Sequence, residues 1–149
     1  MKEILRRQFR QYIKEFNPDL LAVLQDSGRL EEFLEENLDS VEELMDGMIM
    51  EQVTPIRILE QCMAELTRPL RPSRYHYCLK LLEEWFPDCS EKLREGGLLQ
   101  IELIGFISIA DPLFDELRFS EDTKKLDLIR YAILGALLEF SRKYDNQCL

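Results

Sequence analysis

"LLQIELIGFISIA", residues 98–110, is the longest apolar run in the chain, and whether it forms a strand or a helix decides the fold class. Its four isoleucines favour a strand. Its thirteen residues exceed the length of most buried strands, and no other segment offers a strand to pair with it. The run therefore reads as a buried helix, bent before Pro112. Gln100 and Glu102 lie inside it, and it is too short to span a bilayer.

On either side the apolar spacing is helical. Ile4, Leu5, Phe9, Tyr12, Ile13 and Phe16 recur at steps of three and four, which predicts a helix over 2–16 that stops before Asn17-Pro18. A short second helix starts at Pro18 and ends at "DSG", 26–28. The stripe from Leu30 to Ile49 keeps one phase, so a continuous helix over 29–52 is expected, although "SVEE" at 40–43 spells a capping box that could restart it. Further helices are expected at 55–66, 73–86 and 121–143, with a short turn at 88–95. The last helix carries apolar residues on two faces, Leu128, Tyr131, Leu134 and Leu138 forming the second, and should be central.

The expected fold is all-α: a compact bundle of about six to seven helices around one core, forming a single helical domain over 1–149. Its predicted core is Phe9, Ile13, Leu34, Val41, Leu44, Met48, Leu59, Leu81, Trp85, Phe106, Ile133 and Leu137.

Composition narrows the function classes. Hydrophobic residues make up 46% and charged residues 32%, which is ordinary for a folded domain and excludes intrinsic disorder. The N-terminal segment lacks the apolar region of a signal peptide. Cys62, Cys78, Cys89 and Cys148 are widely spaced, so reduced thiols in a cytoplasm are expected and no disulfide.

Three segments, "FRQYIKEFNPDLL", "RPSRYHYCLKLLEEWF" and "LIRYAILGALLEF", resemble the corresponding parts of an uncharacterised bacterial domain-of-unknown-function family. Its members are small helical proteins often encoded on conjugative transposons of anaerobic Gram-negative bacteria. The resemblance implies an all-helical fold and a cytoplasmic accessory role. It brings no catalytic residue with it. The family's "FS-aromatic" helix start appears here as Pro72-Ser73-Arg74-Tyr75, and 47–66 is longer than usual for it.

Charge is uneven along a chain of net −10. Residues 17–66 hold two Lys/Arg against thirteen acids, whereas 1–16 hold five against two and 67–82 hold four against none. The second basic segment contains "RPLRPSRYHY", 68–77, where Arg68, Arg71, Arg74 and His76 gather around the start of a helix capped by Ser73. Such a corner could hold an anion or an acidic partner, with Lys2, Arg6, Arg7, Arg10 and Lys14 extending it if the two basic segments meet. The competing reading is that these arginines pair with the acidic helix 29–52.

No catalytic constellation accompanies this corner. His76 is the sole histidine and falls on a polar helix face. Cys62, His76, Cys78 and Cys89 lack the paired spacing of a zinc site. A helix-turn-helix over 40–66 would offer Arg57 against Glu60 and Glu65, the wrong charge for a major groove. No G-x-G-x-x-G, P-loop, G-x-S-x-G or H-E-x-x-H occurs. The expected protein is a cytoplasmic, non-catalytic accessory or protein-interaction module with no cofactor and no bound metal. A protein partner is expected, a homo-oligomer is allowed, and neither a membrane nor directly bound nucleic acid is expected. A regulator of nucleic-acid machinery is the alternative class, acting through the basic corner or through acidic helices that imitate a phosphate backbone. An enzyme of unrecognised type is the third.

Overall fold

The computed structural model describes residues 1–145, whose regular elements are all helices, with no strand among them. The run at 98–110 belongs to a helix that extends well beyond it. The buried side chains form two clusters instead of the single core expected, and the chain divides into two compact units, residues 1–71 and 72–149.

The first unit contains α1 (Lys2–Phe16), α2 (Pro18–Asp26), α3 (Leu30–Ser40), α4 (Glu42–Met50) and α5 (Pro55–Thr67), followed by a 3-10 turn (Arg68–Leu70). Its core is built from side chains four residues apart: Leu5, Phe9 and Ile13 on α1, Leu30, Leu34 and Leu38 on α3, and Ile58, Cys62 and Leu66 on α5. Rows of that spacing form the ridges by which helices interlock. Helix α1 packs against α2, α3 and α5, so its apolar stripe has partners on three sides.

The continuous helix expected over 29–52 breaks at Val41, whose backbone (φ −105°, ψ 3°) ends α3. The capping-box signal marks the right place by a different mechanism. Ser40 Oγ donates back to the Asn37 carbonyl at 2.6 Å, and α4 starts without a side-chain cap. Val41 stays buried, which is why the stripe shows no shift of phase at the break.

The second unit contains α6 (Arg74–Trp85), α7 (Pro87–Glu95), α8 (Leu99–Glu116) and α9 (Asp127–Asp145). Helix α8 packs against α6, α7 and α9 and supplies Leu103, Phe106, Ile107, Ala110 and Phe114 to the core. It runs past the expected end at 110 and carries Pro112 inside. The expected turn at 88–95 is a nine-residue helix, because Pro87, read as a stop, is the first residue of α7. Residues 121–126 are not helical as expected. Ser120 and Thr123 bond reciprocally, the Ser120 N–H donating to Thr123 Oγ1 at 2.9 Å, and the cap residue is used in a turn instead of a helix start.

The two units repeat one plan. Asn17 and Phe86 turn the corner between two helices with nearly the same backbone (φ −132°, ψ 55° and φ −134°, ψ 58°), and each precedes a proline that opens a nine-residue helix. Ten residues after each proline stands a left-handed glycine, Gly28 (φ 70°) or Gly97 (φ 71°). There the chain closes by a bond spanning six residues, Arg29 N–H to Leu24 O or Leu98 N–H to Leu93 O. Core positions correspond 69 residues apart along the next segment: Leu34 with Leu103, Leu38 with Ile107, Val41 with Ala110, Met45 with Phe114. In the final helices the offset is 71, with Ile58, Cys62 and Leu66 matching Ile129, Ile133 and Leu137. Helices α3 and α4 together thus occupy the place that α8 fills alone.

Of the predicted core, Leu44 and Trp85 are exposed, Trp85 by 55%, and Met48 and Leu59 are partly buried; the other eight are buried. Trp85 is in phase with the buried face of α6 but stands on its last turn, where the chain leaves at Phe86. Helix α9 is not central: it buries Ile129, Ile133, Leu137 and Phe140 and exposes Leu128, Tyr131 and Leu138 on the opposite side.

Candidate functional site

The four residues singled out in "RPLRPSRYHY" fall on both sides of the division between the units, which comes after Arg71. Arg68 pairs with Glu65 at 2.5 Å, three residues back on α5. Arg71 donates to the Ala64 carbonyl at 3.2 Å. Arg74, on the first turn of α6, donates to Asp111 Oδ1 at 2.8 Å and to Asp115 Oδ1 at 2.7 Å, with its guanidinium 5.1 Å from the centre of the Phe114 ring. Partial burial opposes the Arg74 charge, but the bonds to Asp115 and Asp111 outweigh it and hold the group protonated. Ser73 caps α6 as expected by accepting from the His76 N–H at 3.1 Å, and the His76 side chain is exposed beside the Tyr75 ring.

The arginines are thus matched by acceptors, though not those of helix 29–52. That acidic segment instead takes the cations of α1. Arg6 bonds both Glu31 and Glu35, Lys2 reaches Asp39 at 3.3 Å, and Arg10 lies 4.0 Å from Glu31. These ion pairs are exposed and neutralise charge more than they add stability.

Among the described residues no group of three His, Cys, Asp or Glu side chains could hold a metal ion, and no helix is long and apolar enough to cross a membrane. Cys62, Cys78 and Cys89 are buried in core positions and form no disulfide, and burial pushes the Cys62 thiol up; Cys148 lies outside the described residues. Between α1 and α5 runs an open groove of about 440 Å³ lined by Met63 of α5 and by Arg7, Gln8, Gln11, Tyr12, Glu15 and Phe16 of α1. The Tyr12 and Phe16 rings stack at 4.7 Å.

The most unusual surface belongs to the second unit. On the outward side of α8 stand Ile101 (67% exposed), Gly105 and Ile109 (73%), and on that of α9 stand Leu128 (69%), Tyr131 (59%), Gly135 and Leu138. The corresponding positions of the first unit are Glu32, Glu36 and Ser40 on α3, and Arg57, Glu60, Ala64 and the buried Thr67 on α5. The same plan is therefore built with polar groups at the places of Ile101, Gly105, Ile109, Leu128 and Tyr131, and packing within a unit does not require apolar ones there. Exposed apolar side chains in the first unit are scattered by comparison: Met50 and Ile56 flank the turn between α4 and α5, Val23 stands on α2 and Ile4 on α1.

No family model, curated protein or solved structure matches the chain.

Sequence reasoning missed this surface because it assigned every apolar stripe to one core. The signal was present in the second apolar face of α9, since a helix of a small unit cannot bury both sides.

Proposed function

We propose that the protein is a non-catalytic interaction module that works through the outward face of its second unit. The observation carrying this reading is the exposure of Ile101, Ile109, Leu128 and Tyr131 at places where the first unit carries acids, an arginine and a serine. Exposed apolar side chains grouped along a helix face cost solubility and mark sites of association. The absence of a catalytic motif in the sequence agrees with it. The family resemblance supports an accessory role in the cytoplasm of a bacterium carrying a mobile element.

Affinity capture from a bacterial lysate, with the whole protein and an Ile101→Glu/Ile109→Glu variant side by side, tests the reading. Proteins held by the parent and lost by the variant, with the variant's melting temperature unchanged, are the expected result. Equal capture by both would contradict it.

A further inference from the structure

Leu128, Tyr131, Gly135 and Leu138 follow one another at steps of three, four and three, the repeat of a helix–helix seam, on the side of α9 directly opposite Ile129, Ile133 and Leu137. Gly135 is the anomaly in this row. It sits near the middle of a 19-residue helix, where glycine costs about 1 kcal/mol relative to alanine. A Cβ there would meet nothing within 4 Å, so nothing within the unit requires its absence. The corresponding residue of α5 is Ala64.

We infer that the outward face of α9 is a docking surface for a second copy of this chain, packed antiparallel. With the two helices related by a two-fold axis at the level of Ile133, Leu128 of each copy faces Leu138 of the other, and Tyr131 faces Gly135. The large ring enters the space that the missing Cβ leaves. Because the same row lies on both copies, the contact is self-complementary and closes as a dimer.

The charges along α9 are already matched within the chain, Asp127 with Arg130 at 3.0 Å and Arg142 with Glu139 at 2.8 Å, and it is the Tyr131–Gly135 fit that selects the antiparallel orientation, since a parallel pair would set ring against ring. Residues 120–149 hold five Lys/Arg and five acids, so two chains of net −10 meet here at a segment of no net charge. The seam is short and belongs among small interfaces, below about 1,200 Å² in total. The dimer is accordingly concentration-dependent.

This inference rests on the interaction reading and fixes one partner for it. Sedimentation velocity of the full chain over a wide concentration range should show conversion from monomer to dimer. Tyr131→Glu and Leu138→Glu should each weaken the dimer at least about 30-fold while leaving the melting temperature unchanged. Gly135→Leu separates this register from general stickiness: it adds apolar surface and helix propensity, so a nonspecific patch would associate more strongly, while a seam that needs the gap loses its dimer. In a Cys148→Ser background, a Leu128→Cys/Leu138→Cys chain should form disulfide-linked dimers and neither single variant should.

A chain monomeric at every concentration, or a dimer strengthened by Gly135→Leu, would overturn the inference. If the chain stays monomeric while Tyr131→Glu still loses captured proteins, the occupant is a different protein and only the second copy is excluded.

Discussion

Arg74 and Arg68 look alike in sequence, each an arginine in a proline-rich stretch, but their surroundings differ. Arg74 is fixed by two carboxylates on α8 and an aromatic face, whereas Arg68 reaches one glutamate on the helix that precedes it. Charge-assisted pairs held on a partly buried scaffold stabilise more than exposed neighbours three residues apart. Arg74→Ala should therefore lower stability by about 1–2 kcal/mol, through the lost pairs and the lost ring contact. Arg68→Gln should change it by less than about 0.5 kcal/mol. Chemical denaturation of the two variants checks the contrast, and equal effects would contradict the distinct environments. Arginine's identity was legible in the sequence; its partners were not, because Asp111 and Asp115 lie 37 and 41 residues away. Trp85 failed as a core residue for a similar reason. Periodicity indicates which side of a helix faces inward, not where along the helix the core ends.

At the scale of the helix, stripes and stop signals carried most of the information. Proline and glycine were read correctly as punctuation, yet Pro87 was read only as a stop, and a nine-residue helix was lost. Ser40 and Ser120 each resembled a cap, but Ser40 donates back to the Asn37 carbonyl, and Ser120 accepts from the Thr123 N–H in a turn that no helix follows directly. Among the described residues four helices end through a left-handed residue, at Gly28, Gln52, Gly97 and Arg118. Two of these positions are occupied at a steric cost by residues with a Cβ. Gly97→Ala, at φ 71° with open space around the new methyl, should destabilise by about 1 kcal/mol through backbone strain alone. Arg118→Gly, at φ 54°, should act in the opposite direction and by no more than that. Thermal melts of the pair check the signs. A stabilised Gly97→Ala would mean that the helix does not end as described.

At the scale of the whole chain, the fold class was legible and the division was not. "EFNPDLLAVLQDSGRL" at 15–30 and "EWFPDCSEKLREGGLL" at 84–99 share Glu, Pro-Asp, Leu, Gly and Leu at the same spacing, a repeat present in the sequence itself. It was obscured because only the corner, the turn and the core positions are held in common, while the outer surfaces diverge. Nine Lys/Arg against fifteen acids give the first unit a net charge of −6, and ten against fourteen give the second −4, so charge alone does not reveal the difference. Its location does: the first unit's outer face on α3 carries glutamates where α8 carries isoleucine and glycine. The functional reading depends on that comparison, and the comparison depends on each half being a self-contained structure with its own core. The most direct measurement is circular dichroism of residues 1–71 and residues 72–149 produced separately. Each half should give a helical spectrum and a cooperative melt. Two halves that remain unfolded apart would show that one shared core holds the chain together, and would contradict the division into two units.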